Sequence, residues 1–178
     1  MTRRKMLLMT VGATAIGFAA LVGLARNNAF SADEDESQEA LIKVIDAAKI
    51  TLQQGLAASE QQGQPISAKF EVDEGKLQLS VYTVKEDKFS EVLIDYVTGK
   101  VAKVEPIQGG DDLAAAHEQS AAMTNARVSL KSAVDKTMSE SGNVRAVSVV
   151  ASLKDGHPVA SIDVLNYNQF KAIQQPLD

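Results

Sequence analysis

The sequence predicts an α+β protein made of two repeats, each with one helix packed on a three-stranded antiparallel β-meander. Two observations carry this prediction. Apolar residues first recur at helical spacing and then alternate at the period of a strand, and this succession occurs twice. A shift of 81 residues also superimposes the two halves, placing Gly75 on Gly156 and Phe89 on Phe170.

The first repeat is predicted at 38–105. Its helix has an apolar stripe that runs from Leu41 to Leu52. Alternating residues then predict two strands joined by a tight turn at 73–76, where Gly75 suits a positive φ. A third strand is expected at 89–95.

A linker is predicted at 106–111, followed by the second repeat at 112–178. The second repeat is expected to contain one helix and three strands, the last of them truncated before Pro176. These elements are predicted at 113–138, 144–153, 159–165 and 170–174.

Residues 1–31 have the order of a secretory signal peptide. Basic residues at 3–5 precede an apolar run at 6–25, and the small residues Ala29 and Ser31 suit cleavage after Ser31. We therefore predict a periplasmic or otherwise exported protein. The basic start also resembles a twin-arginine motif, so the Sec and twin-arginine routes both stay open.

The alternative is an uncleaved anchor, because twenty apolar residues can span a bilayer. After the signal, the acidic segment 32–37 is predicted to be disordered, or to form the negative first turn of a helix.

The predicted mature chain is strongly acidic. The whole chain has 18 Lys and Arg and 23 Asp and Glu residues. Four of the basic residues precede Ser31 and no acidic residue does, which leaves 14 positive and 23 negative charges, a net of −9. This balance argues against binding nucleic acid or an anionic membrane surface. There is no cysteine, so disulfides are excluded.

Two segments resemble the PepSY domain family. Residues 89–101 resemble the end of that domain, where a strand runs into an Asp-x-x-Thr-Gly-Lys-Val turn beginning at Asp95. Residues 154–159 resemble its central hairpin. The resemblance covers 38–178, although the second copy lacks the Thr-Gly turn.

The resemblance implies an exported bacterial tandem-PepSY protein that binds without catalysis. PepSY domains are similar to parts of the propeptides of thermolysin-like proteases, which are thought to restrain the protease. Some acidic exported members have been linked to metal-ion handling.

The residues predict no enzyme. Nucleophilic catalysis needs a base beside the nucleophile, but the only histidines, His117 and His157, lie far apart in the sequence. Neither has a second histidine at metal-ligand spacing, so no catalytic residue is assigned and zinc is not expected.

Carboxylates are the one ligand type in surplus, and hard cations prefer several oxygen ligands. The candidate metal ligands are Asp73, Glu74, Asp95 and Asp155, with calcium or lanthanide ions as the candidate cofactors. The simpler interpretation is that these residues belong to solvated turns and caps. No cluster has the spacing of an EF-hand loop.

The leading functional hypothesis is a non-enzymatic binding module that binds or restrains an envelope protein such as a protease. A meander has an exposed edge strand to which an extended segment can add. The alternative is binding of hard metal ions through surface carboxylates.

Overall fold

The computed structural model describes residues 32–178, with side chains from residue 36 onward. The predicted signal peptide, 1–31, lies outside the described residues. The described chain forms four helices, one 3₁₀ turn and seven strands. The helices are α1 (Ala32–Val44), α2 (Leu52–Ser59), α3 (Gly110–Thr124) and α4 (Leu130–Ser141), with the 3₁₀ turn at Ile45–Ala47. The strands are β1 (Gln64–Asp73), β2 (Lys76–Lys85), β3 (Lys88–Ile94), β4 (Val101–Pro106), β5 (Arg145–Lys154), β6 (His157–Asn166) and β7 (Gln169–Pro176).

The predicted fold class is wrong in how the strands assemble. All seven strands form one antiparallel sheet, in the order β4-β3-β2-β1-β5-β6-β7, instead of two three-stranded meanders. The join is a short antiparallel ladder in which Ser67–Lys69 of β1 pairs with Ser148–Val150 of β5. An unpaired strand edge exposes backbone donors and acceptors, and each meander places such an edge where the other can pair with it.

The number of elements also differs from the prediction. Each half has two helices, because α1 and α2 are separate and the predicted helix 113–138 is divided into α3 and α4. Ser129 begins α4 by accepting a hydrogen bond from the Ser132 N–H, which is an N-cap inside the predicted helix. The first half also contains a fourth strand, β4, beyond the turn that was expected to close it.

The strands of the two halves nevertheless correspond at a spacing of 81 residues. A register irregularity lies between Pro65 and Ser67 in β1, and another lies between Ala146 and Ser148 in β5. Positive φ angles recur in the hairpins at the same spacing, as at Glu74 and Asp155. This correspondence allows β3 and β7 to be compared residue by residue.

One face of the sheet, the core face, packs against α2 and α4. A Cβ atom added to Gly55 of α2 would lie 2.6 Å from the Leu79 side chain, so a larger residue there would force this buried side chain to shift. The Gln175 amide of β7 donates to Glu140 of α4. The core is aliphatic, and its fully buried side chains include Leu52, Leu56, Ile66, Leu79, Val81, Val134, Val149 and Ile162.

The other face, the polar face, is covered at one end by α3. Ser67 on β1 donates a 2.8 Å hydrogen bond to Gln119 of α3, and both side chains are buried. The ring of His117 contacts Phe89 edge-on, with 4.7 Å between the centroids. Helix α3 therefore lies opposite α2 and α4.

Candidate binding edge of the sheet

Among the described residues, strand β7 lies at the edge of the sheet and has a regular row of backbone groups that no other strand pairs with. The Leu177 N–H donates to the Pro158 carbonyl at 2.9 Å, and the β6–β7 register continues without a bulge from that pair to Asn166 and Gln169. Hydrogen-bonded and non-hydrogen-bonded pairs alternate in an antiparallel ladder. The backbone groups of Gln169, Lys171, Ile173 and Gln175 therefore point toward β6.

The intervening residues point their backbone groups away from the sheet. These are Phe170, Ala172 and Gln174, whose N–H and C=O groups have no hydrogen-bond partner within residues 32–178. Pro176 follows in the same row but has no N–H to offer. The open edge, as we call the outward backbone of residues 170–174, thus presents three donors and three acceptors in a regular array.

The side chains of the open edge leave the backbone accessible. Ala172 and Gln174 are exposed on the polar face, and Lys171 is exposed on the core face. Phe170 and Ile173 are half-buried, one on each face. A strand placed beside β7 would therefore meet one apolar side chain on either face.

The ends of β7 are fixed by the rest of the chain. The β6–β7 turn places Tyr167 at a φ of 54°. At the other end the Leu177 carbonyl accepts from the N–H groups of Arg127 and Val128, at 2.6 and 3.0 Å. Anchoring at both ends preorganises the strand, which reduces the ordering cost of adding a partner strand.

The opposite edge of the sheet, β4, is less regular. Its register shifts between Leu93 and Ile94 of the neighbouring β3, and Pro106 ends it. A bulge and a proline are both devices that prevent further strands from adding. Val101 and Val104 are exposed there, at 37% and 42%, but the backbone between the two interruptions is short.

The candidate metal ligands do not come together. Asp73 ends β1, Glu74 follows it in the β1–β2 turn, and Asp155 lies in the β5–β6 turn. Ala68 pairs with Val149, and from that pair the two turns lie in opposite directions. Eleven residues at about 3.3 Å each separate Asp73 from Asp155 by roughly 36 Å along the sheet.

The carboxylate of Asp95 accepts hydrogen bonds within its own turn. Its Oδ1 accepts from the backbone N–H groups of Thr98 and Val97, at 2.7 and 2.9 Å. These two hydrogen bonds lower the pKa of Asp95 below its usual value. The residue at the corresponding position of the second half is Pro176, so this turn has no counterpart there.

In the described part of the chain, no three or more histidine, aspartate or glutamate side chains form a group that could hold a metal ion. The proposed calcium or lanthanide binding therefore stays a prediction, and no contact between the four candidate carboxylates supports it.

The sequence interpretation missed the polar network on the polar face. Glu71 accepts from Ser80 at 2.9 Å and pairs with Lys69 at 2.5 Å. Burial is the main reason why the pKa of Glu91 is raised. Burial, with the nearby Glu91 and Glu71 carboxylates, also raises the pKa of Tyr82. The available signal was the run of polar residues alternating with the apolar residues of β1 and β2.

Arg145 was also missed, and it joins the two halves. Its guanidinium donates to three main-chain carbonyls, those of Ile45, Ala48 and Ile50, at 3.0 to 3.3 Å. It also lies over the Phe70 ring, 5.7 Å from the centroid. Burial lowers the pKa of the guanidinium. These contacts assign Arg145 a role in fixing the segment after α1.

The two histidines lie in separate environments. His117 packs on Phe89 beside an open groove of about 450 Å³ that also contains Ile107 and Leu113. His157 contacts Asp178, with 3.0 Å between Nδ1 and Oδ2, and is exposed. The structure does not bring the two rings into one site.

None of the protein-family models matches this chain, and no curated protein or solved structure matches it either. The resemblance to PepSY domains thus stays a prediction from the sequence. Across residues 32–178, the chain forms no helix with the length and apolar character needed to cross a membrane.

Proposed function

We propose that this chain is a non-enzymatic binding module that accepts an extended segment of an exported or envelope protein at the open edge of β7. The observation that carries the proposal is the regular row of outward backbone groups at Phe170, Ala172 and Gln174. Main-chain hydrogen bonds to such an edge supply affinity, while neighbouring side chains supply specificity.

The charge of the chain supports a protein partner. Residues 32–178 carry 14 positive and 23 negative charges, yet β7 itself contains Lys171 and no acidic residue. The open edge therefore carries one positive charge, that of Lys171, on an acidic protein whose net charge disfavours nonspecific association. A protease held through an extended loop is one partner of this class.

Site-specific photocrosslinking in living cells tests the proposal. A photoreactive amino acid at Ala172 should give discrete protein adducts, because its side chain is exposed beside the open edge. The matched control is the same group at Glu74, which is exposed in a turn at the other side of the molecule. Mass spectrometry then identifies the adducts.

The proposal fails if Ala172 gives no protein adduct, or the same adducts as Glu74. Adducts that form only with a second copy of this chain would also contradict it, because they would show self-association.

A further inference from the structure

Strand β3 shows how a neighbouring strand covers a row of backbone groups that corresponds to the open edge. On β3 the outward row consists of Phe89, Glu91 and Leu93, which correspond to Phe170, Ala172 and Gln174 at a spacing of 81 residues. On β3 this row is covered by β4: the Ile107 N–H donates to the Phe89 carbonyl at 3.0 Å.

The β3–β4 register extends this pairing along the strand. Glu91 pairs with Glu105 and Leu93 pairs with Lys103, and alternation makes these the hydrogen-bonded pairs. The backbone groups that β4 satisfies on β3 are thus the ones left open on β7.

We propose that the segment bound by β7 runs antiparallel to it, in the register that β4 takes on β3. This inference rests on the proposed function, since it describes the occupant of the same edge. Transferring the β4 register puts occupant positions 1 to 5 opposite Gln174, Ile173, Ala172, Lys171 and Phe170, in that order.

Each position then has a defined neighbour. Position 2 lies opposite Ile173, and its equivalent in β4 is Val104. Position 5 lies opposite Phe170, and its equivalent is Ile107, which lies beyond the end of β4. Both partners on β7 are half-buried apolar side chains, so apolar residues at positions 2 and 5 would bury additional apolar surface.

Position 4 lies opposite Lys171. That side chain is exposed and has no ion-pair partner within residues 32–178. An acidic residue there forms a cross-strand pair of opposite charge, which stabilises an antiparallel ladder. The occupant is therefore an extended segment of the pattern apolar-x-acidic-apolar, read from its amino end.

A partner protein fits this edge better than a second copy does. A symmetric β7–β7 contact centred on Ala172 would place Lys171 opposite Ile173, and any such contact would bring together two chains that each carry a net of −9 over residues 32–178. Self-repulsion of this kind favours the monomer. It would also leave the cationic side chain without an acidic partner.

Selection from a displayed library of random octapeptides on the full chain tests the occupant. We expect enrichment of apolar-x-acidic-apolar segments, with binding weakened at least tenfold by Ala172→Pro. That substitution removes an outward N–H and keeps every N–H that faces β6. Ala172→Ser is the matched control, which keeps the donor and should bind like the wild type.

A charge reversal tests the register. Lys171→Glu should change the enriched residue at position 4 from acidic to basic and leave positions 2 and 5 apolar. A spin label at the amino end of an enriched peptide should broaden the amide signal of Gln174 more than that of Phe170, since the segment runs antiparallel.

The outcomes separate the two proposals. Peptides that lose binding in Ala172→Pro but lack the pattern, or bind parallel, overturn the inference and leave the binding function standing. Binding that is unchanged in Ala172→Pro, or no enrichment at all, contradicts the proposed function itself. A dimer in sedimentation that Ala172→Pro dissociates assigns the edge to a second copy and overturns the inference.

Discussion

Strands β3 and β7 occupy corresponding positions in the two halves, but within residues 32–178 another strand covers only β3. On β3 the outward row at Phe89, Glu91 and Leu93 pairs with β4 and the residue after it. On β7 no segment of residues 32–178 pairs with the corresponding row. The difference teaches that one strand pattern can lie inside a sheet or at its edge, depending on whether another strand lies beside it.

The largest expected effect is on the free energy of unfolding, and it depends on which side of β7 loses an N–H group. Lys171→Pro removes an N–H that pairs with Val164 of β6, so we expect the free energy of unfolding to fall by about 2–4 kcal/mol. Ala172→Pro removes only an outward N–H, and a change within about 1 kcal/mol is expected. Urea denaturation followed by circular dichroism measures both.

Equal destabilisation by the two prolines would break the comparison, because it would mean that the outward groups of β7 are already paired. The equivalent of Ala172→Pro on β3 should behave differently. Glu91→Pro ought to be strongly destabilising, since its outward N–H pairs with β4.

An intermediate effect is expected at Arg145, where the second half holds the first. Arg145→Leu removes three hydrogen bonds from a charged donor to main-chain carbonyls. We expect the free energy of unfolding to fall by about 2–3 kcal/mol. Arg145→Lys should recover part of this loss, because an ammonium group cannot reproduce the planar guanidinium fork.

Thermal denaturation of both Arg145 variants provides the measurement. If Arg145→Leu melts like the wild type, the guanidinium does not contribute to joining the two halves, and the β1–β5 ladder and the Ser67–Gln119 hydrogen bond hold them without it.

The smallest expected effect is a pH dependence of the free energy of unfolding, which arises on β3 where β4 covers it. Glu91 corresponds to Ala172 of the open edge, and burial raises the pKa of Glu91 in the folded chain. A raised folded pKa gives a stability contribution that is present below the unfolded pKa, about 4.3, and is lost as the pH rises through the folded value. Wild type should therefore lose stability relative to Glu91→Gln over this rise in pH.

Asp95→Asn is the control with the opposite sign. The pKa of Asp95 is lowered in the folded chain by hydrogen bonds from Thr98 and Val97. Its contribution is present above the unfolded pKa and is lost as the pH falls through the folded value. Unfolding curves from pH 3 to 8 compare the variants, and parallel pH profiles for wild type and Glu91→Gln would show that burial does not raise the pKa of this carboxylate.

The sequence determined the local elements because their signals are local. Alternation of apolar residues located six of the seven strands, all but β4, and glycine at positions 75 and 156 located two hairpin turns. The spacing of 81 residues was visible because the strands keep their lengths and turns. The candidate carboxylates were found in or beside turns for the same reason, since turns favour Asp and Gly.

Only the tertiary structure decided which strands are neighbours and which edge is left open. Pairing of β1 with β5 joins residues about 80 positions apart, and no local pattern specifies such a partner. The polar network around Glu91 and the reach of Arg145 depend on the same distant contacts. The open edge of β7 exists because a backbone donor is free or paired according to the strand beside it, and the sequence of β7 by itself does not contain that information.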